Sequence, residues 1–140
     1  MTPLYVATAT ATNGRDGRVS TADGTFDLGL SVPKGLGGPG GEGTNPEELF
    51  AAGYAACYGS ALKLVGGQAK VKTSDIRITA IVTLGKSEEG FGLAVELHGH
   101  LPSVPRAQAE ELMAKAHQVC PYSRATRNNV EVKLVVAESA

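Results

Sequence analysis

Small, β-branched and apolar side chains alternate from Thr2 to Ala11 (TPLYVATATA), the period-two pattern of a strand. The stretch from Asn13 to Arg18, NGRDGR, is turn chemistry, because Asn-Gly and Asp-Gly favour tight hairpin turns. Val19–Ser31 resumes the strand pattern with a break at Ala22-Asp23-Gly24, so the chain opens as a β-meander. A glycine-dense loop, PKGLGGPGGEGT, follows from Pro33 to Thr44. Asn45-Pro46-Glu47-Glu48 then reads as a helix start: Asn45 can cap, Pro46 suits the first turn, and Glu48 completes an N-x-x-E arrangement. The predicted helix runs to about Val65 and stops at Gly66-Gly67. Its interior is small and apolar nearly all round, which predicts burial on most sides.

Val71–Leu84 and Phe91–Leu101 alternate at period two on either side of Glu88-Glu89-Gly90, which predicts a long hairpin. Pro105–Val119 is an amphipathic helix with Ala109, Leu112, Met113, Ala116 and Val119 on its apolar side. It should end at Cys120, because the residue before Pro121 is pushed out of the α region. Val130–Ala137 closes as a strand. The expected order is βββ-α-ββ-α-β, an α+β fold in one domain over residues 1–140.

Composition narrows the function classes. The chain has 140 residues, 42% of them apolar and 19% charged, with a net charge of −1, which excludes a disordered tail or a nucleic-acid-coating protein. No apolar run approaches the ~18–20 residues of a membrane span. Met1–Thr12 lacks the basic start and apolar run of a secretory signal, so a cytoplasmic address is expected.

Several motifs invite a chemical reading. Gly35, Gly37 and Gly40 form G-x-G-x-x-G, yet Pro39 sits inside it and no βαβ unit surrounds it, so a dinucleotide site is rejected. His98 and His100 share a strand face but have no evident third ligand, and read as surface or edge histidines. Cys57 and Cys120 are in neither C-x-x-C nor zinc-binding spacing, which leaves inert buried thiols or a redox pair. Cys57 falls about three turns inside its helix, beyond reach of the helix dipole, so a reactive thiolate there needs a cation brought to it. Cys120 falls in the last turn of its helix, where exposed carbonyls disfavour an anion, as suits a resolving thiol. On their own, Arg15 in a turn reads as solvated and Glu47 as serving the helix dipole.

Three segments change those readings: TATATNGRDGR (8–18), TNPEELFAAGYAACYGSAL (44–62) and AHQVCPYSRATRNN (116–129). Together with the glycine loop and the FGLAVELH strand they resemble the organic hydroperoxide resistance proteins of the OsmC-like superfamily. The resemblance covers essentially the whole chain. It implies a thiol peroxidase in which Cys57 is the peroxidatic cysteine, Cys120 the resolving one, Arg15 the residue that activates the thiolate, and Glu47 the carboxylate that holds Arg15. It further implies an organic hydroperoxide substrate, a lipoyl-type dithiol reductant such as dihydrolipoamide on a partner protein, and no metal, haem or flavin cofactor. Leu36, Phe50, Tyr54 and Tyr122 are candidates to line an apolar pocket for the organic tail, with Tyr122 favoured by its place beside Cys120.

The resemblance also implies an intertwined homodimer, and two arguments from the sequence agree. One chain of this size offers too few elements to cover the Asn45–Val65 helix. Glu47 and Cys57, about ten residues apart on one helix, would lie roughly 15 Å apart along its axis and about 80° around it. A single Arg15 cannot bridge that span, so the Arg15–Glu47 pair is expected to serve a partner's Cys57, unless the helix begins later and the loop folds back. The alternatives are a broader OsmC-type peroxidase, a non-catalytic binder of apolar ligands, or a peroxide sensor, for which the chain lacks a Lys/Arg-rich output surface.

Overall fold

The computed structural model describes residues 1–138, and the chain divides into two units, one ending at Leu49 and one beginning at Phe50. The first unit carries a three-stranded antiparallel sheet, β1 (Ala9–Thr12), β2 (Arg18–Thr21) and β3 (Asp27–Gly29), in that spatial order. β1 starts later than the alternation predicts. Its partner β2 ends at Thr21, opposite Ala9, where the chain turns, and residues 2–7 find no ladder partner in the sheet. Leu4, Tyr5 and Val6 are left exposed. The NGRDGR connection is a 3₁₀ turn, Gly14–Asp16, entered through Asn13 and Gly14 in the left-handed region (φ 59° and 56°).

The glycine-rich loop is closed at its base. Ser31 N–H donates to Thr44 O and Thr44 N–H to Gly29 O, both at 2.9 Å, so the segment leaves and returns to one point. The only helical turn inside it is the 3₁₀ segment Lys34–Leu36.

Helix α1 (Pro46–Gln68) starts as the sequence predicts: Glu48 N–H donates to Asn45 Oδ1 at 2.8 Å, and Asn45 Nδ2 donates to Glu48 Oε1 at 2.7 Å. It does not stop at Gly66-Gly67. It continues to Gln68 and closes with Val71 N–H on Gly66 O and Lys70 N–H on Gly67 O, a Schellman closure in which Lys70 takes the left-handed conformation (φ 57°) usually given to glycine. Burial of α1 is one-sided in the single chain. Tyr54, Tyr58, Ala61, Leu62, Val65 and Gly66 are buried on one stripe, while Ala52, Ala56, Ser60 and Leu64 are exposed in this single chain.

The second unit holds a three-stranded sheet, β4 (Arg77–Ser87), β5 (Gly90–His100) and β6 (Glu131–Val136), with β5 central, antiparallel to β4 and parallel to β6. β4 begins at Arg77, not Val71, because β5 ends at His100, its register partner, and residues 71–76 have nothing to pair with. Glu88-Glu89 make the hairpin turn. Val95, Leu97 and Gly99 of β5 point into the core, where helix α2 (Arg106–Val119) supplies Ala109, Leu112, Met113 and Ala116. Gly99 permits that approach: a Cβ there would lie 2.6 Å from Met113 Sδ. The element order is βββ-α-ββ-α-β with one addition, the short helix α3 (Pro121–Thr126) after α2. The fold is α+β. No helix among the described residues is long and apolar enough to cross a membrane.

Candidate active site

Two clusters emerge, one in each unit. In the first, the 3₁₀ turn aims Arg15 at Glu47 in the opening turn of α1. Nη1 donates to Oε2 at 2.9 Å and Nη2 to Oε1 at 2.7 Å, a bidentate fork. The hydrogen bond from Arg15 holds the Glu47 carboxyl below the usual carboxylate range, and the same bond raises the guanidinium. Arg15 remains partly exposed (38% of its side chain), so the fork keeps an accessible face. Leu36 is in the same unit, exposed on its 3₁₀ turn.

In the second cluster, Cys57 and Cys120 are both free thiols with their Sγ atoms 3.7 Å apart. Cys57 is half-buried on the core stripe of α1, and Cys120 is fully buried. The sequence places Cys120 in the last turn of a helix; the structure makes it the joint between two. Its extended conformation (φ −67°, ψ 125°) ends α2 and, with Pro121 in the first position, begins α3. The argument from exposed α2 carbonyls therefore no longer applies to it. Burial pushes the Cys57 thiol up, the backbone N–H of Tyr122 pulls it down, and the neighbouring Cys120 raises it; the net direction is upward. Unaided, this thiol stays protonated at neutral pH.

Phe50, Tyr54 and Tyr122 form an aromatic group in this unit, with ring centroids 5.7 to 6.3 Å apart. The Tyr122 ring, 40% exposed, lies across Gly53, one turn before Cys57, where a Cβ would meet its hydroxyl at 2.8 Å. Tyr54 departs from its expected role. It is fully buried, its hydroxyl engaged by Ser123 Oγ (2.8 Å) and Thr126 Oγ1 (3.1 Å), so it backs the other two rings and offers no face to a substrate. Tyr58 is likewise core: burial pushes its phenol well up, and it donates to Met113 O at 2.6 Å. Ser123, Thr126 and His117 lie outside the residues to which the sequence points. Their only sequence signal is spacing, since His117 and Ser123 stand one helical turn before and after Cys120. His98 contacts Glu96 (3.0 Å), and no group of three or more His, Cys, Asp or Glu that could hold a metal ion occurs among the described residues.

An α+β chain with two facing thiols and an arginine–carboxylate fork defines a class of thiol-bearing domains, and comparison with known proteins places it. The OsmC-like protein family model matches residues 38–135. The organic hydroperoxide resistance protein of Xanthomonas axonopodis pv. citri is 51% identical over 135 residues, 96% of this chain and 95% of its own length. A crystal structure of an organic hydroperoxide resistance protein from Elizabethkingia anophelis superposes with a TM-score of 0.92 at 52% identity, covering 99% of this chain and 100% of that one. That of OhrB from Bacillus subtilis gives a TM-score of 0.88 at 42% identity, covering 96% and 100%. The chain belongs to the OsmC-like family. Within it, these full-length relatives are organic hydroperoxide resistance proteins.

Proposed function

We propose that the protein is a two-cysteine peroxidase that reduces organic hydroperoxides to alcohols. The 3.7 Å approach of Cys57 to Cys120 carries this reading, supported by the names of its relatives. The Cys57 thiolate attacks the distal peroxide oxygen; the O–O bond breaks, the alkoxide leaves with a proton as the alcohol, and Cys57 becomes a sulfenic acid. Cys120 then attacks that sulfur. The S–O bond breaks, an S–S bond forms, and the hydroxyl departs with the Cys120 proton as water. Closing from 3.7 Å to the ~2.05 Å of a disulfide requires less than about 2 Å of movement. An external dithiol, of lipoyl type by family resemblance, reduces the disulfide by exchange.

The first step needs a cation, because burial raises the Cys57 thiol. Arg15 supplies it: a guanidinium has about five N–H donors, and Glu47 takes only one from each terminal nitrogen. The unbroken course of α1 from Pro46 removes the option that the helix begins late. Glu47 and Cys57 are then roughly 15 Å apart along one helix, too far for a single guanidinium to serve both. The fork of one subunit therefore acts on the Cys57 of its partner in a homodimer. The exposed Ala52, Ala56, Ser60 and Leu64 face of α1, together with exposed Leu4, Tyr5 and Val6, supports such a dimer. The enzyme acts in the cytoplasm, where an external dithiol keeps the cycle running.

The test compares turnover of an alkyl hydroperoxide with that of hydrogen peroxide, using dihydrolipoamide, glutathione and a thioredoxin system side by side. Faster turnover of the alkyl substrate with dihydrolipoamide is expected. Equal rates for both peroxides would favour the broader OsmC-type activity.

A further inference from the structure

Beside the thiol pair runs a chain of polar side chains, half-buried at His117 and buried beyond it, that the peroxidase cycle does not use. His117 Nδ1 stands 2.7 Å from Ser123 Oγ, Ser123 Oγ 2.8 Å from the Tyr54 hydroxyl, and that hydroxyl 3.1 Å from Thr126 Oγ1. Thr126 Oγ1 donates to the Ser123 carbonyl at 3.1 Å. Tyr54 and Ser123 are wholly buried and Thr126 nearly so, which makes an unfilled contact costly.

Counting protons fixes the direction of this chain. Three hydroxyls carry one proton each, yet there are four contacts to fill. Only a proton on His117 Nδ1 fills them all: His117 donates to Ser123, Ser123 to Tyr54, Tyr54 to Thr126, and Thr126 to the Ser123 carbonyl. A proton on Nε2 alone leaves one contact empty. His117 is itself anchored, because Arg127 Nη2 donates to its backbone carbonyl at 2.7 Å and so covers the C-terminal end of α2.

The location gives the chain its consequence. Tyr54 precedes Cys57 by one turn of α1, and Ser123 follows Cys120 by one turn in α3. The Tyr54–Ser123 hydrogen bond therefore ties together the same two segments that the thiol pair joins. His117, one turn before Cys120, ties α2 to the same hydroxyl. Cys120 is the joint between α2 and α3, and the three side chains brace it from both sides.

We propose that the His117–Ser123–Tyr54 chain is a positioning clamp for the resolving step, holding the α2–α3 joint so that Cys120 meets the oxidised Cys57. This rests on the peroxidase reading above. The side chains of His117 and Ser123 hydrogen-bond to each other and to Tyr54 rather than to either sulfur, and they govern how fast the sulfenic acid is captured rather than how fast it forms. Without the clamp, Cys57 sulfenic acid persists and reacts with a second hydroperoxide molecule, giving sulfinic acid and a second alcohol.

The experiment follows reduced Ser123→Ala by rapid quench and intact-mass analysis after tert-butyl hydroperoxide is added. Sulfenic acid should form within about twofold of the parent rate. Disulfide formation should slow by about tenfold to a hundredfold, as expected for a misplaced reacting group, with sulfinic acid accumulating in excess peroxide. His117→Leu should behave alike, whereas His117→Asn, which keeps an N–H near the Nδ1 position, should recover most of the parent's disulfide rate. These two variants carry the comparison if Ser123→Ala does not fold. Long-range proton–nitrogen NMR correlations of the reduced parent should show His117 Nδ1 protonated. A parent that forms no disulfide overturns the peroxidase reading and the clamp with it. A parent that forms one, with Ser123→Ala and His117→Leu partitioning identically, overturns the clamp alone.

Discussion

Arg15 grips Glu47 through both terminal nitrogens, at 2.7 and 2.9 Å, joining a turn of the N-terminal meander to the first turn of the helix that carries Cys57. The pair is preorganised, because the bidentate carboxylate fixes the position and orientation of the planar guanidinium. Arg15→Ala should therefore leave the fold intact and slow Cys57 oxidation at neutral pH by about tenfold to a hundredfold, the worth of one charge-assisted hydrogen bond. Alkylation rate against pH is the check: the Cys57 profile should move to higher pH, and superimposable profiles would remove Arg15 from the activating role. The stabilising contribution of Glu47 has the sign of a depressed carboxyl. It is complete above the ordinary carboxylate value and is lost as pH falls through the lowered one.

The proposed sharing of the site between subunits makes its own prediction. Cys57→Ser and Arg15→Ala chains should each be impaired alone, whereas under the proposed trans arrangement a heterodimer would hold one site with both Cys57 and Arg15 intact. Co-refolding the two should regain activity toward half the parent level per heterodimer. Heterodimers that form and show no gain would place the fork and the thiol in one chain.

Gly53 lets the Tyr122 ring lie on α1 beside Cys57. Gly53→Ala adds helix propensity worth about 1 kcal/mol, while its Cβ forces the exposed ring outward. Thermal stability should change little, and the preference for bulky aralkyl over small alkyl hydroperoxides should shift by up to about tenfold in kcat/KM. An unchanged ratio would show that the Tyr122 ring does not select substrate.

His117 gives a pH signature. Burial, and then the nearby Arg127, lower it from its ordinary value near 6.5, so the unfolded chain binds a proton that the folded chain resists. Its contribution is therefore complete above about pH 6.5 and is lost as pH falls from there toward the lowered value. His117→Asn should flatten the decline in Tm across that window. An equal slope in both proteins would show that His117 does not titrate with folding.

The legible parts of this chain are those with local chemistry. Asn45, Pro46 and Glu48 mark the start of α1 because a cap is written within four residues. Its end was hidden, because Lys70 takes a conformation that usually advertises itself as glycine. Cys120-Pro121 correctly ends α2, but the same proline opens α3, and a stop signal masked a start. The edges of β1 and β4 are set by where β2 and β5 end, which periodicity within one strand cannot reveal. At the site, spacing alone left the cysteines either inert or redox-active; family resemblance paired them, and the tertiary packing brings them to 3.7 Å. Tyr54 reads the same whether its hydroxyl faces solvent or Ser123, and only packing decides.

The most direct measurement is the mass of the protein after one equivalent of an organic hydroperoxide, for the parent, Cys57→Ser and Cys120→Ser. The parent should lose two hydrogens as the disulfide forms. Cys120→Ser should gain one oxygen at Cys57 and a second with excess peroxide, and Cys57→Ser should remain unchanged. A parent left with two unmodified thiols, or a first oxygen found on Cys120, would contradict the account.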